Sequence, residues 1–262
     1  MPRATWRAVG GVVRGPSHKT SGQPCQDAAC WDILPDGIFV AAVADGAGTA
    51  AFSDIGARLA ATSAVEAMKR RLADEGPEQV GPAAEDTVWQ QLLSSAVQDA
   101  RNAVEAEAAR RQISPRELAS TLIIVVATPS LVAAAQVGDG AAVAADTAGQ
   151  LTALTTPAVG EYLNETVFLI SPGALEGLQT VVWRGAAANL AIFSDGLQML
   201  ALKMPAGTPH APFFAPLFRF AAQTREQAAA QVELETFLQS PNVRQRSDDD
   251  VTLLLVARIA ES

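Results

Sequence analysis

The chain has 262 residues, of which 49% are hydrophobic and 18% charged, so it can bury a sizeable core and should be globular. Its formal net charge of −9 argues against a nucleic-acid partner, because nucleic-acid phosphates repel an acidic surface. With only two cysteines (Cys25 and Cys30), no signal-peptide pattern and no run of about 20 apolar residues, we expect reduced thiols, a cytoplasmic location and no membrane partner.

Strand-like and helix-like segments follow one another in adjacent groups. Strand patterns cover residues 4–13, 28–33 and 37–44. Apolar residues at helical spacing then predict a helix over 53–73. A long second helix is predicted over 87–111, with a Gly- and Pro-containing loop over 75–85 between the two. The remaining predicted elements are six strands, a mainly helical region and a last strand: 120–127, 131–137, 141–146, 167–170, 179–184, 189–194, then 212–238, then 251–259.

This grouping of elements predicts the fold class. Helices in adjacent pairs and strands in adjacent runs argue against a doubly wound parallel sheet. An α+β fold uses every element if two antiparallel β-sheets lie between two helical layers, as a four-layer αββα sandwich. The sequence shows no internal repeat and no linker, so we expect a single domain over residues 1–262.

Acidic residues stand at the ends of the apolar strands, mostly beside glycine. An Asp-Gly pair after a strand is a very common turn, so any one of these acids alone is better explained as a turn residue. As a set, acids from distant strand ends could meet at one edge of a sheet, where carboxylate oxygens suit Mg²⁺ or Mn²⁺. The pattern therefore predicts a metal site from Asp27, Asp45, Asp139, Asp195 and the acids at 248–250.

Five motifs in this order resemble those of the metal-dependent protein phosphatases, the type 2C family, and specifically a bacterial branch. Individually each motif is weak, but five in register with matching strands around them form a specific pattern. They are Gly22-Gln-Pro-Cys-Gln-Asp27, Val43-Ala-Asp45-Gly46-Ala-Gly48, Ser120-Thr-Leu with Val137-Gly-Asp139-Gly, Phe193-Ser-Asp195-Gly196-Leu, and Ser247-Asp-Asp249-Asp250-Val-Thr, whose Asp250 stands where the family usually has asparagine.

The resemblance implies a β-sandwich flanked by helix pairs, with two Mn²⁺ or Mg²⁺ ions in a cleft at one end. Asp45 would bridge the two ions, and the carbonyl of Gly46 would bind one of them. Asp195 and Asp249 would hold the other ion. Asp27 would be catalytic, through a hydrogen bond to a metal-bound water.

Other positions either extend this pattern or depart from it. Asp139 matches a ligand of a weaker third ion, but the second acid expected for that ion is replaced by Met199. The arginine expected to bind the substrate phosphate is replaced by Gly22. His18 and Lys19 are the nearest cationic residues, so we expect His18 to donate a proton to the leaving group or bind phosphate, and Lys19 to bind substrate.

The expected function is hydrolysis of phosphoserine or phosphothreonine on proteins by a metal-activated water. The expected partners are a phosphorylated protein and a cognate Ser/Thr kinase. Two alternatives stay open at this point: a catalytically weak or inactive binding module that keeps the phosphatase fold, and a hydrolase of small phosphoesters. The segment 160–166, Gly-Glu-Tyr-Leu-Asn-Glu-Thr, is either a plain turn or a flap facing the substrate.

Overall fold

The computed structural model describes residues 4–81, 83–157 and 166–260, and in them two five-stranded antiparallel sheets form the centre of the fold. The first sheet contains, in spatial order, β1 (Ala4–Val13), β12 (Val251–Ala260), β9 (Ala187–Phe193), β6 (Ala141–Asp146) and β7 (Leu151–Thr155). The second sheet contains β2 (Asp27–Leu34), β3 (Ile38–Asp45), β4 (Leu122–Ala127), β5 (Leu131–Val137) and β8 (Gln179–Arg184). Two short strands, β10 (Leu202–Lys203) and β11 (Thr208–Pro209), pair with each other.

Helices cover the outer faces of both sheets. The helices are α1 (Pro16–Ser21), α2 (Ser53–Gln79), α3 (Asp86–Arg111), α4 (Gln198–Ala201), α5 (Ala211–Gln223), α6 (Gln227–Leu238) and α7 (Pro241–Arg244). One apolar cluster joins α2 and α3 to the second sheet, and another joins α5 and α6 to the first sheet. A third cluster fills the space between the two sheets. These four layers confirm the predicted αββα sandwich.

The central strands are apolar on both faces because both faces are covered. Every residue of β4 and of β5 is buried, since each strand has helices on one side and the other sheet on the opposite side. The buried face of α2 is made largely of alanines, including Ala57, Ala60 and Ala64, and these small side chains let the helix lie close to the sheet. The strands that carry the acids are therefore held firmly from both sides.

The strand register brings the acid-bearing loops to one end of the sandwich. Asp27 begins β2 and lies opposite Asp45, which ends β3. In the first sheet, Phe193 at the end of β9 pairs with Ala141 at the start of β6 and with Leu253 near the start of β12. The loops that precede β6 and β12, and the turn that follows β9, therefore leave the first sheet at the same edge.

Some predicted elements differ from the structure. The segment 167–170 is not a strand: Leu169 N donates to Ser120 O at 2.8 Å, but a turn follows at once, so no ladder forms. Helix α2 runs on to Gln79, so the predicted loop from 75 was wrong for its first five residues. The proline at 77 lacks one backbone donor, but it stands in the last turn, where the helix ends two residues later. Strand β7 and helix α1 were not predicted. Of the segment 160–166, all but Thr166 lies outside the described residues.

Candidate metal centre

Asp27 and Asp45 form the part of the centre that belongs to the second sheet. They face each other across the β2–β3 pair. Thr121 fixes the end of β3 from the neighbouring chain segment, because its N–H donates to Asp45 O at 2.7 Å and its Oγ1 accepts from Asp45 N at 3.0 Å. The backbone that carries the Asp45 carboxylate is therefore held on both sides.

Gly46 follows Asp45 at a place where no side chain fits. Its N–H donates to Gln26 O at 3.1 Å, and it pairs with Ser120 in an isolated β-bridge. A Cβ added to Gly46 would lie 2.8 Å from Gln26 O and 2.8 Å from the Cβ of Ser53. The glycine thus permits the close packing that places its backbone beside the acids.

Ser194 connects the acids of the two sheets. Ser194 lies directly before the 3₁₀ turn Asp195–Leu197. Its Oγ donates to Asp27 Oδ2 at 2.7 Å and accepts from Thr252 N at 3.0 Å. Sequence reasoning did not assign Ser194 a role, although its position directly before Asp195 in the Ser-Asp-Gly motif was a usable signal.

The carboxyl groups are close enough to suppress one another's ionisation. Burial raises the pKa of Asp27 to about 7, and the charges of Asp250 and Asp195 add to the rise. Burial and then the charge of Asp139 raise the pKa of Asp195 to about 6. The pKa of Asp45 is also raised, first by burial and then by the charges of Asp27 and Asp195. Asp45 also shares a hydrogen bond with Asp195, which raises its pKa further.

This group of residues fits a hard divalent cation. Oδ1 of Asp27 and Oδ1 of Asp195 are buried and have no hydrogen-bond partner among the described residues. Unpartnered buried carboxylate oxygens are costly. A cation together with a water that it binds would pair with them and neutralise the neighbouring charges. Because the available donors are carboxylate and backbone oxygens, Mg²⁺ or Mn²⁺ suits the site better than a thiophilic metal.

Asp139 lies beside this group and is held by two polar neighbours. Thr166 Oγ1 donates to Asp139 Oδ2 at 2.6 Å, and the side-chain amide of Gln198 donates to the carbonyl of Asp139. Met199, next to Gln198, is 63% exposed and offers no carboxylate. That Asp139 holds a third ion therefore stays a prediction.

Asp249 and Asp250, the acids of the fifth motif, have different surroundings. Asp249 is exposed, and its Oδ1 accepts from Asp250 N at 2.8 Å. Its charge contributes to the raised pKa of both Asp45 and Asp195, which places it near them. Asp250 is buried. The structure thus brings Asp249 to the same centre as Asp27, Asp45, Asp139 and Asp195.

The two cationic candidates, His18 and Lys19, lie on α1. His18 is 8% exposed, and its Nδ1 lies 2.9 Å from Asp250 Oδ2 without forming a hydrogen bond. Ligand atoms of His18, Asp249 and Asp250 all lie within 4.8 Å of one another. Lys19 is exposed, and its side chain makes no hydrogen bond or ion pair with any described residue. Their roles toward substrate stay predictions.

Comparison with known proteins agrees with this geometry. The model of the family described as protein phosphatase 2C matches residues 14–239. Serine/threonine-protein phosphatase 3 of Escherichia coli K12 is 36% identical over 257 residues, which cover 96% of this chain and 98% of that protein. The chain belongs to the protein phosphatase 2C family. Membership of this family confirms the predicted resemblance and the predicted enzyme class, a metal-dependent protein phosphatase and hence a hydrolase.

Solved structures share the fold of this chain. PppA of Pseudomonas aeruginosa, described as a key regulatory component of T6SS, has a TM-score of 0.62 at 18% identity, covering 97% of this chain and 98% of its own. The catalytic domain of serine threonine protein phosphatase PstP, solved with 2 manganese ions, has a TM-score of 0.58 at 15% identity, covering 98% and 99%. None of the helices in the part of the chain that the structure describes is long and apolar enough to cross a membrane.

Proposed function

We propose that the chain hydrolyses phosphoserine and phosphothreonine on proteins, as a single phosphatase-like domain over residues 1–262 that acts in cytoplasmic signalling. The observation that carries the proposal is the meeting of Asp27, Asp45 and Asp195, two of which have a buried, unpartnered carboxylate oxygen. Family membership and the name of the E. coli relative support the reaction class. The proposed partners are a phosphorylated protein and a cognate Ser/Thr kinase.

The proposed cofactors are two Mn²⁺ or Mg²⁺ ions. The two manganese ions in the PstP structure support this number, and the all-oxygen donor set supports this class of metal. We assign Asp45 as the bridging ligand and the carbonyl of Gly46 as a ligand of one ion. Asp195 and Asp249 are assigned to the other ion, and Asp139 to a weaker third ion.

When bound, such ions neutralise charge on phosphoryl oxygens and lower the pKa of a coordinated water. The chain's own residues orient the reaction. Ser194 holds Asp27 through Oδ2, which leaves Oδ1 of Asp27 to accept a hydrogen bond from the attacking water. Thr121 and the close packing at Gly46 fix the carboxylate and carbonyl at the end of β3.

The remaining tasks are binding of the phosphate and protonation of the leaving alkoxide. Gly22 has no side chain, so the arginine that would bind phosphate at this position is missing. We propose that His18, on the rim formed by α1, donates the proton to the leaving group. Lys19 is exposed next to it and is proposed to contribute positive charge toward the substrate phosphate.

A metal-depletion experiment tests the proposed function. The chelated, dialysed protein should release no phosphate from a phosphothreonine peptide, and added Mn²⁺ should restore release. An aryl phosphate measured in parallel separates protein phosphatase activity from hydrolysis of small esters. Hydrolysis that survives complete chelation, or hydrolysis confined to the small ester at saturating peptide concentration, would contradict the proposal.

A further inference from the structure

Asp250 is a buried carboxylate on which separate chain segments converge. It is 2% exposed. Oδ1 accepts from Gly15 N at 2.6 Å, and Oδ2 accepts from Gln26 N at 2.5 Å. The Nδ1 of His18 lies 2.9 Å from the same Oδ2. One side chain therefore holds the loop after β1 and the residue before β2 against the start of β12, with His18 of helix α1 beside it.

Each fastened segment leads directly to an assigned site residue. Gln26 precedes Asp27, and its carbonyl accepts from Gly46 N at 3.1 Å, so the position of Gln26 affects both. On the other side, the loop at Gly15 lies against the backbone of Asp249: a Cβ added to Gly15 would come within 2.3 Å of Asp249 C and 2.4 Å of Asp249 O.

The two hydrogen bonds to Asp250 require a carboxylate at this position. Both oxygens of Asp250 face backbone N–H groups, which can only donate. An asparagine here would keep one accepting oxygen, but its amide NH₂ would face the other N–H, two donors against each other in a buried place. The resemblance leads one to expect asparagine at this position. The aspartate found here suits its surroundings, because its two accepting oxygens meet two backbone N–H donors.

We propose that Asp250 is a positioning residue that sets the geometry of Asp27, Gly46 and Asp249, and through them the affinity of the metal centre. The proposal rests on the proposed function, since those three residues act there as water-orienting and metal-binding groups. Asp250 is assigned this positioning role and not that of a ligand, because each of its oxygens accepts from a backbone N–H.

The test compares two variants that remove the same charge from neighbouring positions. In Asp250→Asn the donor pattern is broken. In Asp248→Asn it is kept, because Asp248, which only the sequence pattern grouped with the site acids, is exposed and contributes its backbone carbonyl, not its carboxylate, to Ser17. By calorimetric titration we expect Asp250→Asn to bind Mn²⁺ roughly 10- to 100-fold more weakly, the usual loss for a residue that orients metal ligands. Excess Mn²⁺ should restore most of its turnover with little change in KM for an aryl phosphate. Asp248→Asn should resemble the wild type.

Gly15→Ala is the second variant, and it displaces the loop while keeping the Asp250 carboxylate; circular dichroism first establishes that each variant is folded. Its methyl group would push the loop away from Asp249 without changing any carboxylate, so we expect weaker Mn²⁺ binding here too. Folded variants that bind Mn²⁺ as tightly as Asp248→Asn would overturn the positioning role and leave the proposed function standing. A wild-type protein that neither binds Mn²⁺ nor hydrolyses phosphopeptides would contradict the proposed function itself.

Discussion

At the scale of single residues, the centre is a set of carboxyl groups whose acidity is weakened by burial and by one another. The pKa of Asp27 rises to about 7 and that of Asp195 to about 6, mainly because burial disfavours their charged forms. Such shifts are unfavourable for folding near neutral pH, since the folded protein must bury charges that the unfolded chain solvates. Residues that lower stability in this way are characteristic of functional sites.

Because burying the charge of Asp195 lowers stability, replacing this residue by the isosteric asparagine should stabilise the metal-free protein. In Asp195→Asn the shape is kept and one of the mutually repelling charges is removed, so we expect the metal-free variant to melt at a higher temperature than the metal-free wild type at pH 7.5. The same variant should lose Mn²⁺ binding. Thermal unfolding in chelator, with Asp248→Asn as the control for charge removal alone, checks the first part. A lower melting temperature in Asp195→Asn would show that the carboxylate stabilises the fold.

The role proposed for His18 predicts an effect that depends on the leaving group. In His18→Ala, turnover of a phosphoserine peptide should fall by roughly 10²-fold, the lower end for a lost general acid. An aryl phosphate should lose much less, because a phenolate leaves without help from a proton donor. Mn²⁺ affinity should change little. Equal losses on both substrates would rule out proton donation by His18.

At the scale of elements, the predictable features were those set by local pattern. Apolar and β-branched runs identified β4, β5 and β12, and helical spacing identified α2. The region 212–238 was predicted as mainly helical, but its division into α5 and α6 was not. Strand β7 has three half-buried residues out of five and lacks such a run, so it was missed. The acids after strands could be predicted as a cluster, but the link from Ser194 to Asp27 depends on how the two sheets face each other, and no local pattern reports that.

The junction between β3 and the loop that follows it gives a prediction with a matched control. Gly46→Ala places a methyl group 2.8 Å from Gln26 O, where the backbone must shift, so we expect a loss of about 1–3 kcal/mol in unfolding free energy. Gly48→Ala, two residues away, meets nothing within 4 Å and should be close to neutral. Denaturant unfolding measures both variants. Similar stability of the two would contradict the close packing at Gly46.

At the scale of the whole molecule, the protein carries a net charge of −9 and gathers several acids at one end of the sandwich. The raised pKa values of Asp27 and Asp195 mean that the metal-free folded state binds more protons than the unfolded chain from about pH 4 to about pH 7. These two groups therefore make unfolding free energy fall as pH rises through that window. Cations at the centre would oppose this loss.

This linkage can be measured on the metal-free protein. Unfolding free energy of the wild type in chelator should fall between pH 5 and pH 7.5 more steeply than that of the double variant Asp27→Asn with Asp195→Asn. Mn²⁺ at saturation should flatten or reverse the wild-type slope, because it binds the deprotonated acids. Identical slopes for the two metal-free proteins would show that these acids do not titrate as described.

Calorimetric titration with Mn²⁺ decides whether these carboxylates form the metal centre of a protein phosphatase. We predict that the wild type binds two ions, that Asp45→Asn loses tight binding of both because Asp45 is proposed to bridge them, and that phosphate release from a phosphothreonine peptide disappears with the binding. Undiminished binding of two ions by Asp45→Asn, with full phosphate release, would show that the metal centre lies elsewhere.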